Sequence, residues 1–123
     1  MTKQETFDTV VAHLRQQNEK SVGPVTIPTG EVKQGMNRYR GLGGLKCAVG
    51  CLIPDDEYRQ YFEDMDLDNI IHECKSLKRH DRSLLKRLST VHDWFPVERW
   101  EIRLGSVASK YNLKYTAPEK ASP

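Results

Sequence analysis

Apolar positions recur along most of this chain at the three- and four-residue intervals of amphipathic helices, and seldom in the alternation of strands. Phe7, Val10, Val11 and Leu14 form the first stripe. Thr2 and Glu5 stand before it at capping-box spacing, where hydroxyl and carboxylate each accept a backbone N–H of the first turn, and this predicts a helix to about Asn18. Pro54 followed by Asp55, Asp56 and Glu57 reads as a second helix start, with Tyr58, Tyr61, Phe62 and Met65 as its apolar stripe. Asp68 is placed to cap a short helix bearing Ile70, Ile71, Cys74 and Leu77. Asp81 opens the clearest helix, in which Leu84, Leu85, Leu88, Val91, His92 and Phe95 share one face until Pro96 stops it. A last helix begins near Val97 and carries Trp100, Leu104, Val107, Ala108 and Tyr111.

Two stretches break this period. Residues 21–36 hold Gly23, Pro24, Pro28, Gly30 and Gly35 and read as a loop, pinned to the core by Val25 and Ile27. Tyr39 to Tyr58 concentrates glycines, two of the three cysteines and a short apolar run, which marks it as the centre of the fold. There Arg38–Arg40 and Leu45–Val49, joined by Gly41, Leu42, Gly43 and Gly44, predict a β-hairpin. Strand alternation would turn Leu45, Cys47 and Val49 to one side and Lys46, Ala48 and Gly50 to the other. Ala48 and Gly50 are small enough to admit a neighbouring backbone. The expected fold is α+β, four or five helices around a small antiparallel β-hairpin that packs on the first and last two helices. A single globular domain spans 1–115, and 116–123, without periodic apolar positions, is expected to be a disordered tail.

Length and charge narrow the class. A chain of 123 residues buries enough surface for one core without staples. Three cysteines is an odd count and no cleavable leader is legible, which points to reduced thiols in a cytoplasm. No apolar run approaches the roughly 20 residues of a membrane helix, so no membrane partner is expected. The net charge of +2 is small, but it is segregated. Asp55, Asp56, Glu57, Glu63, Asp64, Asp66 and Asp68 precede Lys75, Lys78, Arg79, Arg82, Lys86 and Arg87, either as two solvated helix faces or as a bipolar docking surface.

The block Y-R-G-x-x-G-x-K-C-A-V-G-x-L-I-P-D-x-x-Y at Tyr39 to Tyr58, with His92, Asp93, Pro96, Trp100 and Leu104 downstream, resembles a group of short, uncharacterised proteins encoded by bacteriophages and by bacteria, in part within prophages. No activity is assigned to that group, so no functional residue carries over. Other residues stand there at the position of Cys51, which weakens any role requiring Cys47 and Cys51 together. The resemblance implies a setting: an accessory protein made by a phage or mobile element, acting in the host cytoplasm.

Several constellations suggest chemistry. Gly41, Gly43 and Gly44 invite a phosphate loop, yet Lys46 stands where a dinucleotide fingerprint needs glycine, and a nucleotide loop needs serine or threonine where Cys47 stands. Cys47, Cys51, His72 and Cys74 offer zinc-like ligand types, though Cys47 and Cys74 fall at core positions. Cys47 with His92 and Asp93 would make a nucleophile, base and orienting acid if folding brought them into one cleft. The basic segment 75–87, with Tyr39 between Arg38 and Arg40, would suit phosphates. Trp94 lies one step off the apolar stripe and becomes an interface anchor if exposed, with Arg99 and Arg103 near it on the next helix.

By elimination the sequence favours a non-enzymatic accessory protein that binds and modulates or inhibits a host protein, such as a defence or nucleic-acid-processing component. Arg38, Tyr39, Arg40, Lys78, Arg79, Arg82, Trp94 and Arg99 are its candidate partner-binding residues. No catalytic residue, metal ligand or cofactor is assigned. A nucleic-acid binder using residues 75–87 and a small Cys/His-dependent enzyme are the alternatives, and an apolar patch on the final helices leaves homodimerisation open.

Overall fold

The computed structural model describes residues 1–118. Its helices are α1 (Lys3–Gln17), α2 (Leu67–Glu73), α3 (Arg82–Trp94) and α4 (Trp100–Tyr111), and its two strands, β1 (Val22–Thr26) and β2 (Val32–Asn37), form one antiparallel hairpin. The α+β class stands, mostly helical with a small hairpin.

The helix signals hold where local chemistry and burial agree. Thr2 and Glu5 close the capping box of α1, with Glu5 N–H donating to Thr2 Oγ1 and Thr2 N–H to Glu5 Oε1. Asn18, at φ 51°, ends the helix in the left-handed conformation. Asp81 Oδ1 accepts Leu84 N–H at the start of α3. The cap of α2 is Asp66 and not Asp68, because Asp66 Oδ1 accepts Asn69 N–H; Asp68 pairs instead with Arg82 and Lys86. Val97–Arg99 forms a 3-10 turn after Pro96 and leads into α4.

Three expectations are corrected. The loop assigned to 21–36 contains the hairpin. Its turn runs from Ile27 to Glu31, with Gly30 at φ 88°. Pro24 lacks a ladder N–H, and the register breaks beside it: Gly23 faces Met36 and Val25 faces Lys33, so Gln34 and Gly35 together oppose Pro24. Gly35, at φ 70°, supplies the bulge. Every residue of β2 is exposed, so the hairpin is peripheral, and it touches the last two helices through Asn37, which donates to Asp93 C=O on α3.

At Gly41–Gly44 the chain does reverse, with Gly43 and Gly44 at positive φ, but its arms make the single bridge Arg40↔Lys46. The Glu63 carboxylate takes the N–H groups of Tyr39 and Arg40, and the second arm winds into a tight turn in which Cys51 N–H donates to Cys47 C=O. Cys47, Ala48, Val49 and Gly50 are consequently all buried, with no alternation.

The helix expected after Pro54 is absent. Pro54 opens a turn that closes on Glu57 and Tyr58, Arg59 returns to extended backbone, and a 3-10 turn covers Gln60–Asp64. Glu57 and Glu63 are drawn inward by polar partners and do not form a solvated first turn.

Two apolar clusters meet at the central block. One joins α1, α3 and α4 through Phe7, Leu14, Leu84, Leu88, Trp100 and Leu104, with Ala48 inserted. The other gathers Cys47, Val49, Ile53, Phe62, Ile70 and Leu85. The block from Tyr39 is thus the centre of the fold, as its glycines suggested. A Cβ at Gly50 would fall 1.9 Å from the Tyr39 carbonyl oxygen, which is the close backbone approach predicted there.

Of the expected tail, Thr116 C=O accepts Arg15 Nη2 at 2.7 Å, and residues 119–123 lie outside the described residues.

Candidate functional site

Glu63, with its side chain 3% exposed, organises the region where Arg38, Tyr39 and Arg40 were expected to meet a partner. Its Oε1 accepts Tyr39 N–H at 2.9 Å; its Oε2 accepts Arg40 N–H at 3.1 Å and also the Tyr58 hydroxyl. Arg38 donates to the carbonyls of Pro24 and Arg40 and lies 4.0 Å from Glu63. Arg40 pairs with Asp55 at 2.7 Å and stacks 4.3 Å above the Tyr58 ring. The Tyr39 hydroxyl donates to Met65 C=O, and burial above all pushes its pKa up. These three side chains therefore tie the central block to the turn after Pro54.

Cys47 and Asp93 line one small cavity of about 100 Å³ together with Tyr39 and Glu63. His92 is fully buried and bonded to both neighbours: Ser21 N–H donates to Nε2 at 2.9 Å, which leaves Nδ1 to carry the proton and donate to Asp93 Oδ1 at 2.6 Å. The imidazole is thus oriented by a carboxylate, as a catalytic base would be, but a backbone amide already occupies the nitrogen that would accept a proton. Burial first, and then the Asp93 carboxylate, pushes the Cys47 thiol far up and keeps it protonated. Its Sγ accepts Gly50 N–H at 3.2 Å. Asp93 thus meets both His92 and the cavity that Cys47 lines, but the thiol is kept protonated by burial and the imidazole nitrogen that would take its proton accepts a backbone amide.

The zinc-like set is dispersed. Cys51 Sγ donates to Ala48 C=O, Cys74 Sγ to Glu57, and His72 is exposed. Burial raises Cys51 to about 12. Among the described residues no group of three or more His, Cys, Asp or Glu side chains is arranged to hold a metal ion.

Two cations of the basic segment are paired and others are not. Lys78 and Arg79 are exposed on a 3-10 turn, whereas Arg82 and Lys86 share Asp68 at 3.5 and 3.0 Å. Their charge is partly neutralised by the acidic stretch that precedes them, as the sequence order suggested.

Trp94 is different. It ends α3 with 79% of its surface exposed. Its mounting is firm, because Asp93 C=O accepts Lys20 Nζ and Asn37 Nδ2, tying this turn to the hairpin and the segment before it. Trp100, by contrast, is buried, its indole N–H donating to Phe95 C=O at 3.0 Å and its ring 5.5 Å from that of His92. Arg99 is exposed on the turn between the helices, and Ile102, 68% exposed, follows one turn later. Ile102 was not singled out from the sequence; its signal is an apolar residue off the stripe of α4, as with Trp94 on α3.

Comparison with protein-family models, with curated proteins and with solved structures finds no match for the chain. No helix among the described residues is long and apolar enough to cross a membrane.

Proposed function

We propose that this protein is a non-enzymatic, phage-type accessory module that binds a host protein and modulates or inhibits it. One observation carries the reading. The groups with catalytic potential are tied into the fold by hydrogen bonds, while the largest apolar side chain of α3 points outward from a firmly held turn. Tryptophan and arginine are enriched among the few residues that carry most of an interface's binding energy, and truncating such an anchor costs about 2 kcal/mol or more. Trp94 at the end of α3, and Arg99 and Ile102 exposed at the start of α4, are the side chains assigned to that contact. Arg38, Tyr39 and Arg40 serve the fold by holding the central block in place.

The test is quantitative affinity capture from host cells, with recovered proteins identified by mass. The reading expects a partner held by the wild type and largely lost with Trp94→Ala. Equal recovery by both, alongside turnover of a nucleotide or nucleic acid by the purified protein, would overturn it.

A further inference from the structure

The outer faces of α3 and α4 enclose a groove of about 200 Å³ whose floor is Val91, Phe95 and Val107 and whose rim carries Arg87, Arg103 and Lys110. No carboxylate of the described residues lines it. The ion pairs of the described residues lie elsewhere, and on the same α3 helix Arg82 and Lys86 are met by Asp68. Arg103 lies 4.1 Å above the Phe95 ring, which orients its guanidinium over the floor. Thr90 and Ser106, also in the lining, return their hydroxyl protons to carbonyls of their own helices, so the charge of the groove rests on its three cations.

Helical spacing joins this groove to the tryptophan. Arg87, Thr90 and Trp94 stand at i, i+3 and i+7 on α3, one exposed row about 10 Å long that ends at the indole. On α4, Arg103, Ser106 and Lys110 repeat the same intervals on the facing side. We infer that this groove binds an acidic peptide segment with apolar anchors, whose carboxylates meet Arg87, Arg103 and Lys110 and whose apolar side chains cover the floor and Trp94. This rests on the protein-binding reading and names the chemistry of the partner. The apolar floor selects a peptide over a nucleic-acid backbone, which would need a longer track of cations and flat rings for its bases. Two helical turns of groove also match an amphipathic segment with anchors at i, i+3 and i+7.

The experiment uses fluorescence anisotropy on the full chain with three labelled probes: a short peptide with leucines at helical spacing among glutamates, the same peptide with lysines for glutamates, and a single-stranded oligonucleotide. The glutamate peptide is expected to bind at least about tenfold more tightly than either other probe, and to weaken as salt rises. Arg87→Glu with Lys110→Glu is expected to abolish that binding; Arg87→Gln with Lys110→Gln to reduce it. Both positions of substitution are exposed cations, and unchanged far-ultraviolet dichroism verifies folding.

Equal binding of the lysine peptide, tighter binding of the oligonucleotide, or insensitivity to the charge reversals would overturn the inference. So would sedimentation showing a dimer that the charge reversals dissolve, since the occupant would then be a second copy. Host-protein capture that depends on Trp94 but survives both charge reversals would reject the acidic groove and leave the binding module standing. Capture indifferent to Trp94, with the glutamate peptide still bound, would do the opposite.

Discussion

Ser21 N–H donates to His92 Nε2 at 2.9 Å and thereby joins the residue before β1 to the last turn of α3, across 71 positions of sequence. The same serine donates its hydroxyl to Arg38 C=O at 2.8 Å, so one small side chain and its amide connect the hairpin, the central block and the helix that carries Trp94. Removing the ring by His92→Ala leaves the Ser21 amide and Asp93 Oδ1 without their partner and opens a hole beside Trp100. The expected loss is about 2–4 kcal/mol, read from the urea midpoint. A loss well under about 1 kcal/mol would mean the link is not structural.

Two glycines are predicted to respond in opposite directions. Gly50→Ala puts a methyl 1.9 Å from the Tyr39 carbonyl oxygen, with backbone on both sides, and should cost more than about 3 kcal/mol or prevent folding. Gly105 lies within α4, and a Cβ there would meet Tyr115 Cε1 at 3.4 Å, an ordinary contact. Gly105→Ala should therefore stabilise by up to about 1 kcal/mol through helix propensity. Thermal melts of the two variants check both signs.

The three thiols should be slow towards a disulfide reagent in the folded protein. Burial raises the pKa of all three, and only the thiolate attacks. All three are expected to titrate at once in denaturant and to lag by orders of magnitude without it. A single thiol reacting in the dead time at neutral pH would restore the nucleophile reading.

His80 supplies a pH response. Its ring is buried against Thr6, with Nδ1 2.6 Å from Oγ1, and burial lowers its pKa below 6.5. The unfolded chain then binds a proton before the folded one does. Stability from this site is complete above about pH 6.5 and is lost as the pH falls towards the folded value. Urea midpoints measured from about pH 7.5 to 5 should decline in the wild type, and His80→Gln should flatten that decline. An equal slope in both would refute the assignment.

Much of the helical framework was legible because its signals are local. Thr2 with Glu5 and Asp81 with Leu84 are satisfied within a turn, and the stripes of α1 and α3 bury as their spacing requires. The hairpin was not legible, because Pro24 and Gly35 suggest a breaker when taken singly and make sense only as opposite sides of one bulge. The segment after Pro54 failed as a helix because Glu57 bonds Ser76 and Glu63 bonds Tyr39 and Arg40, partners distant in sequence that override local propensity. Trp94 was visible as an indole off its stripe, and its exposure follows from that position. The cationic groove was not visible, since Arg87 and Lys110 become neighbours only when α3 and α4 pack.

The most direct test of the account compares two substitutions in one binding measurement on the captured host partner. Trp94→Ala should weaken the affinity at least about thirtyfold with an unchanged melting temperature, the loss expected of an exposed anchor. Cys47→Ala should leave the affinity as it is, while lowering the melting temperature through the small cavity it opens. The opposite pattern, with Cys47→Ala abolishing the effect on the partner and Trp94→Ala leaving it intact, would contradict it.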